Sequence, residues 1–413
     1  MRIAMIGQKG IPAQGGGVEQ HVETLSNLLA QRGHEVLVYC RRSYCNGSAS
    51  DHASFGNTTY ESGPRRIFRP SIATKHLDAI THAVTSTCDV MFRGVDLVHY
   101  HAIGPAALAP LARLRGLPTV VTCHGLDWQR AKWGGFAKRC LRFGEWLSAR
   151  FATQLIAVSE PLRQHFADAH GARATFIPNA VDAVQRRAPN RIRQWDLQPG
   201  RYILAASRLV REKGLHYLIP AFESLDTDLE LVIAGNGGLD PSYEIELRRA
   251  AGQRVRFVGH ADRSLLAELY SNALLFVLPS EVEGMSIGLL EAMSAGLPVL
   301  VSDIPANVCV VGSDGFTFRS CDVQHLRTIL ESLIESRGLL SEFGTRCQAR
   351  AQRFQWPRVV EELEAVYDAA LSGRSPALPD RDLDEPQFDD TARPISDSPG
   401  SDAALSQLDR ANG

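Results

Sequence analysis

LLFVLPSEVEGMSIGLLEAMSAGLPVLVS, residues 274–302, reads as strand, loop, helix and strand. LLFVLPS is a short apolar run that stops at Pro279 and Ser280. Ser286 is a fair N-cap for a helix carrying Leu289, Leu290 and Met293, and Gly296 and Pro298 are good stop signals. PVLVS (298–302) then resumes an extended apolar run. Two short strands without polar alternation, joined by a helix, imply a parallel sheet covered on both faces. Two of its acids stand eight positions apart, Glu283 beside Gly284 in the loop and Glu291 inside the helix. Glu291 lies roughly 7–8 Å further along the helix axis at 1.5 Å per residue. A carboxylate there can accept paired hydrogen bonds from a diol such as a ribose. The N–H groups of the helix start between the acids favour a phosphate. A loop acid and a helix-surface acid would give the same spacing, since acids are common on helix faces.

The same alternation extends in both directions. Upstream of the break, strands are expected at 2–7, 36–40, 65–69, 96–101, 118–124, 155–159 and 175–179, with a helix over 18–32. A polar, arginine-rich stretch with two prolines interrupts the pattern near residues 182–200. Strands then recur at 202–207, 229–235, 255–259, 274–280 and 298–302. The fold class is therefore α/β, with two doubly wound, Rossmann-like domains over 1–181 and 201–356 and a linker over 182–200. A last helix over 357–373 is expected, with a crossing back to the N-terminal domain open to it. Ligands of such sheets bind beyond the carboxyl ends of the strands, so a cleft shared by the two domains is the expected site.

Other loops at carboxyl ends carry chemistry. SRLVREKG (207–214) follows a strand and offers Arg208 and Lys213. A planar fork and a mobile point charge together suit a diphosphate leaving group, although a solvated basic loop would look alike. GQKGIPAQGGGVEQH (7–21) is a glycine-rich strand-to-helix loop. It lacks GxGxxG and an acid placed for a dinucleotide ribose, which argues against an oxidoreductase. His124 in TCHGLDW can hydrogen-bond a reacting sugar or move a proton, although a lone histidine is more often structural. His99 and His101 share one face of a strand, but the sequence offers no third ligand in a motif, so no metal site is expected. Asp226-Thr227-Asp228 imitates a metal-binding DxD, yet it precedes a strand and reads as a turn. AGNGG (234–238) reads as a glycine turn.

Bulk composition narrows the setting. The chain has 413 residues and a formal charge of −2. From Ser375 onward nine acids face three arginines, leaving residues 1–374 with a net charge of about +4. The stretch 374–413 is expected to be an acidic disordered tail. Eight scattered cysteines without a CxxC pair fit a reducing cytoplasm rather than a disulfide framework. No run approaches the ~20 apolar residues of a membrane span. Residues 127–151 interleave Arg130, Lys132, Lys138, Arg139, Arg142 and Arg150 with Trp128, Trp133, Phe136, Phe143, Trp146 and Phe151. Such a helix can lie on an anionic membrane, or form a core helix with a solvated basic face. Nucleic acid is not an expected partner, because the chain as a whole is not basic.

Taken together, these motifs resemble the retaining glycosyltransferases of the GT-B fold, family 4 type. The resemblance covers roughly residues 1–372 and is most specific in the second domain: SRLVREKG, AGNGG, VRFVGHADRSLLAELYSNALLFVLPS and EGMSIGLLEAMSAGLPVLVS in order. GIPAQGGGVEQHVETL and IPNAVD (177–182) fit as well. The resemblance implies that Arg208 and Lys213 hold the donor diphosphate, Glu283 the transferred sugar and Glu291 the ribose. It implies backbone at Met285, Ser286 and Ile287 against the phosphates, Gly16 and Gly17 against donor or acceptor, and His124 beside the sugar. The expected activity moves a sugar from a nucleotide-diphosphate sugar to a saccharide or lipid-linked acceptor, with no metal or other cofactor, on the cytoplasmic side or at the inner membrane face. The opening and HGLDWQRAKWGG (124–135) look like transferases of bacterial cell-surface polysaccharide, including some rhamnosyltransferases. A GT-B nucleotide-sugar epimerase and a catalytically silent GT-B binding subunit are the alternatives.

Overall fold

The expected apolar runs assemble into two parallel sheets. The computed structural model describes residues 1–45, 63–72, 74, 77–130, 133–237 and 241–378. They divide into two units, one of residues 1–179 with 356–378 and one of residues 180–355. The tail beyond 378, the loop 46–62, Lys132 and Gly238 lie outside the described residues.

The first unit runs β1 (Arg2–Ile6), α1 (Gly17–Gln31), β2 (Glu35–Arg41), β3 (Arg65–Arg69), α2 (Asp78–Val90), β4 (Leu97–His101), α3 (Ile103–Ala106), α4 (Ala109–Leu114), β5 (Thr119–Cys123), α5 (Gly135–Phe151), β6 (Gln154–Ala157), α6 (Glu160–His170) and β7 (Ala174–Phe176). Its strand order is β3-β2-β1-β4-β5-β6-β7, with every neighbouring pair parallel. The direction of winding reverses between β1 and β4, which leaves a crevice at their carboxyl ends. The loop after Ile6 and the residues after His101 and Cys123 rim that end.

The second unit runs β8 (Tyr202–Ala206), α7 (Leu215–Glu223), β9 (Glu230–Ala234), α8 (Ser242–Ala250), β10 (Val255–Gly259), α9 (Arg263–Asn272), β11 (Leu275–Leu278), α10 (Ile287–Ser294), β12 (Val299–Ser302), α11 (Pro305–Val311), β13 (Phe316–Phe318), α12 (Val323–Glu335) and α13 (Arg337–Ala351). Its order, β10-β9-β8-β11-β12-β13, is again all parallel and reverses between β8 and β11. Both loops singled out in the sequence, Ser207–Gly214 and Ser280–Ser286, leave the two strands that flank this reversal. Its core is built of Leu, Ile and Phe side chains such as Leu218, Phe222, Leu231, Phe276 and Leu300, all fully buried.

Two features differ from the sequence reading. Strand β13 is an additional edge strand whose three residues, Phe-Thr-Phe, are too short to stand out as a run. Residues 182–200 pack within the second unit rather than bridging as a linker. There Glu268 Oε1 accepts Asn190 N at 2.6 Å and Ile192 N at 2.9 Å, and Ile192 is fully buried. The last helix, α14 (Trp356–Ser372), belongs to the first unit and buries Val359, Val360, Leu363, Val366 and Tyr367. All eight cysteines are free thiols. Among the described residues no helix is long and apolar enough to cross a membrane.

Candidate functional site

In the second unit the β8 loop is pressed against the β11 loop, backbone to backbone. Gly214 sits at φ 65°, and a Cβ there would lie 1.8 Å from the Pro279 carbonyl oxygen, so only glycine fits. Glu281 N donates to Glu212 O at 2.9 Å and locks the same approach. Lys213, at the end of a single 3-10 turn, thereby reaches Glu283: Nζ and Oε1 are 2.5 Å apart. Ser280 Oγ donates to that same carboxylate oxygen at 2.7 Å. Arg208 leaves the carboxyl end of β8 and is exposed.

Four residues on from Glu283 the chain enters α10, capped by Ser286, whose Oγ accepts Leu289 N at 3.3 Å. Met285 is buried beneath the loop, and Ser286 and Ile287 are half-buried. The first turn runs close over β8: a Cβ on Gly288 would sit 3.4 Å from the Ala206 carbonyl oxygen. Glu291, the fifth residue of the helix, accepts a hydrogen bond from Tyr270 OH at 3.3 Å. Burial, then the Glu291 charge, pushes the Tyr270 hydroxyl well above its usual range, so it stays a donor. One helix start is thus flanked by a lysine-paired carboxylate on its loop side and a tyrosine-oriented carboxylate in its second turn.

In the first unit the glycine loop folds on itself. Gly7 takes φ 127° because a Cβ would overlap the His101 carbonyl oxygen at 2.1 Å. Gly16, at φ 101°, packs under Glu19, whose Oε1 accepts Lys9 N at 3.2 Å. Gly17 opens α1. Tyr44 OH accepts Gln14 N at 2.6 Å and donates to Gly15 O at 3.2 Å.

Beside this loop four histidines gather. His99 is held by Tyr367 OH at 2.8 Å and Thr122 Oγ1 at 2.7 Å, and its ring centroid lies 4.1 Å from that of His101. His101 Nδ1 meets His124 Nε2 at 3.2 Å. His21, from α1, lies 5.0 Å from His124 and 5.3 Å from Trp356, centroid to centroid. Burial lowers His124 to about 4 and His99 to about 3, and takes His21 and His101 well below the usual range. A hydrogen bond with Asn179 pulls His124 partly back up. All four are neutral at pH 7. No sequence motif joins a third ligand to His99 and His101, but in the structure nitrogens of His21, His101 and His124 all lie within 4.8 Å of one another.

The remaining motifs resolve simply. Asp226-Thr227-Asp228 precedes β9, and Asp228 pairs with Arg201. Of the glycine turn, residues 234–237 are described, and Gly237 N is bound by Glu244 Oε2 at 3.1 Å. Helix α5 buries Gly144, Glu145 and Ser148, and leaves Phe136 81% and Phe143 60% exposed. Sequence reasoning missed Ser280, Tyr270, Asn179 and His21 as partners. All four stood inside quoted motifs, but nothing local to Tyr270 or Asn179 marks it as the partner of Glu291 or His124.

Comparison with known proteins decides the family. Residues 15–185 match the family model "Glycosyltransferase Family 4" and residues 190–353 match "Glycosyl transferases group 1". A Mycobacterium tuberculosis glycogen synthase is 30% identical over 92% of this chain and 100% of its own length. The chain belongs to the family 4 glycosyltransferases. A phosphatidyl-myo-inositol mannosyltransferase of Mycolicibacterium smegmatis is 28% identical over 89% of this chain and 94% of its own. Among solved structures, Anabaena HepE in complex with UDP-glucose aligns with a TM-score of 0.72 at 20% identity, covering 89% of this chain and 100% of that one. The two parallel-sheet units are those of a GT-B glycosyltransferase, and the protein is a glycosyltransferase enzyme.

Proposed function

We propose that this glycosyltransferase moves a sugar, with retention at the anomeric carbon, from a nucleotide-diphosphate sugar to a saccharide or lipid-linked acceptor of a bacterial cell-surface polysaccharide. The observation that carries the donor reading is the α10 start between two oriented carboxylates, with Lys213 on Glu283 and Tyr270 on Glu291. A diphosphate lies against the backbone of Met285, Ser286 and Ile287, where helix N–H groups favour anions. Glu291 accepts from the ribose diol and Glu283 from hydroxyls of the transferred sugar. Gly16 and Gly17 line the donor or acceptor, and neutral His124 donates or accepts a hydrogen bond at the sugar.

The transfer step needs no metal in this reading, because Arg208 and Lys213 supply the positive charge. The bond from anomeric carbon to phosphate oxygen breaks, and the electron pair leaves with the diphosphate. The acceptor oxygen bonds to the same face of that carbon, and its proton passes to the departing phosphate oxygen. Charge developing on the phosphate is what the two cations stabilise. Two related observations favour a nucleotide-sugar over other donors: the HepE complex holds UDP-glucose, and the curated relatives are named as glycosyl-transferring enzymes.

The exposed aromatics of α5, interleaved with exposed Arg139, Arg142 and Arg150, support peripheral contact with an anionic inner-membrane face. Sedimentation with anionic vesicles, and not with zwitterionic ones, is the expected result, lost in Phe136→Ala/Phe143→Ala. The catalytic assignment is tested by turnover of a donor by Lys213→Ala. A loss of about 100-fold or more is expected from removing a group that stabilises leaving-group charge. Turnover within a few-fold of wild type would remove Lys213 from the mechanism.

A further inference from the structure

A second cluster of ligating side chains lies in the first unit, where α5 packs against α6. Glu145 of α5 is buried, with a side chain only 4% exposed. His165 and His170 of α6 both bring Nε2 to the same oxygen of it, Oε1, each at 2.7 Å. Its other oxygen, Oε2, accepts the indole N–H of Trp128 at 2.6 Å. The three ligand atoms all lie within 4.8 Å of one another.

We propose that Glu145, His165 and His170 form a binding site for one divalent transition cation of the zinc class, separate from the donor site. Two imidazoles and one carboxylate are an established zinc ligand set, with a fourth position left for water. Ligands of one tetrahedral zinc, at bonds of about 2.0–2.1 Å, stand about 3.3 Å apart. The present separations of 2.7 Å therefore open by a few tenths of an ångström as the ion takes the place of the two hydrogen bonds. The histidine side chains are 26% and 14% exposed, so an ion can enter from that edge and the rings can move. The carboxylate is backed by Trp128, as metal-bound carboxylates are typically held by an outer hydrogen bond. Two neutral imidazoles, one carboxylate and one dication leave the site with a net charge of +1.

The position gives the ion a consequence. Trp128 stands four residues after His124, in the single-turn helix Asp127–Gln129, and its ring is also covered by the Arg142 guanidinium at 4.4 Å. A cation on Glu145 fixes the carboxylate that holds this ring, so occupancy is read by indole fluorescence as well as by metal content. The proposal stands independently of the donor reading.

The test uses the full chain, stripped with EDTA, dialysed and titrated with zinc chloride by calorimetry, with tryptophan emission followed in parallel. One site per chain with micromolar or tighter affinity is expected. Glu145→Gln and the double variant H165Q/H170Q should each weaken that site at least 100-fold. The double variant touches only partly exposed side chains, so its circular dichroism should match wild type even if Glu145→Gln folds poorly. Trp128→Phe should keep the zinc site and lose most of the emission change. Zinc binding that persists unchanged in H165Q/H170Q would place the ion elsewhere, for example at His21, His101 and His124, and overturn the assignment. Binding no tighter than millimolar in wild type would reduce the cluster to a hydrogen-bonded triad and overturn it as well.

Discussion

Lys213 and Glu283 form a partly buried ion pair that a bound donor would share. Glu283→Gln keeps the shape and removes the charge. It should lower turnover without unfolding the chain, whereas a surface pair would show almost nothing, since exposed ion pairs are worth about 0–1 kcal/mol. Tyr270→Phe removes one hydrogen bond to Glu291. It should weaken diphosphate binding a few-fold, in keeping with about 0.5–1.5 kcal/mol for one such bond. His124 offers a pH signature. Because burial lowers it to about 4, its protonation should leave kcat/KM unaffected near pH 6.5, and an acid limb set by this residue should appear only near pH 4. A limb at pH 6–7 that disappears in His124→Asn would contradict its burial.

At the scale of elements, the loop pair at the β8–β11 switch point is the part most exposed to a single substitution. Gly214→Ala puts a Cβ into the Pro279 carbonyl from a left-handed backbone, and should destabilise the second unit by about 2–4 kcal/mol. Thermal melting measures it, and diphosphate affinity should fall in parallel because Lys213 is displaced. Ser286→Ala removes a cap, a loss of about 1 kcal/mol, with far less effect on Glu283. These elements were also the most legible in the sequence. The strands at 3–6, 36–40, 202–206, 275–278 and 299–301 are continuous apolar runs between glycine, proline and polar breaks, so their pattern marks them in the sequence. Ser286, Gly296 and Pro298 mark α10 at both ends. What pattern could not reveal is pairing at long range. Tyr270 approaches Glu291 only because α9 packs beside α10, and β13 is three residues at a sheet edge.

At the scale of the whole chain, the C-terminal helix α14 is bound into the first unit through a contact 268 residues apart, Tyr367 OH with His99 Nδ1. Nothing local in the sequence foretells it. Tyr367→Phe leaves that buried nitrogen unpaired and should cost about 1–3 kcal/mol. The same interior dictates an acid dependence. His82 and His124 are lowered to about 4 and His99 to about 3, against 6.5 for the unfolded chain. Between those values the unfolded chain binds more protons than the folded one, so stability rises with pH through that window. It is undiminished above pH 6.5 and is lost as pH falls toward 4. Urea unfolding at pH 7.5 and pH 5 should show a lower midpoint at pH 5, from these histidines in the first unit.

The central claim is that the start of α10, between Glu283 and Glu291, receives the diphosphate of a nucleotide-sugar without a metal. Calorimetric titration of the full chain with UDP, GDP, TDP and ADP in EDTA tests it most directly, with Glu291→Ala beside the wild type. The account predicts binding of one diphosphate in EDTA and at least tenfold weaker binding in the variant. Binding of none, or binding that requires a divalent ion or survives Glu291→Ala unchanged, would contradict it.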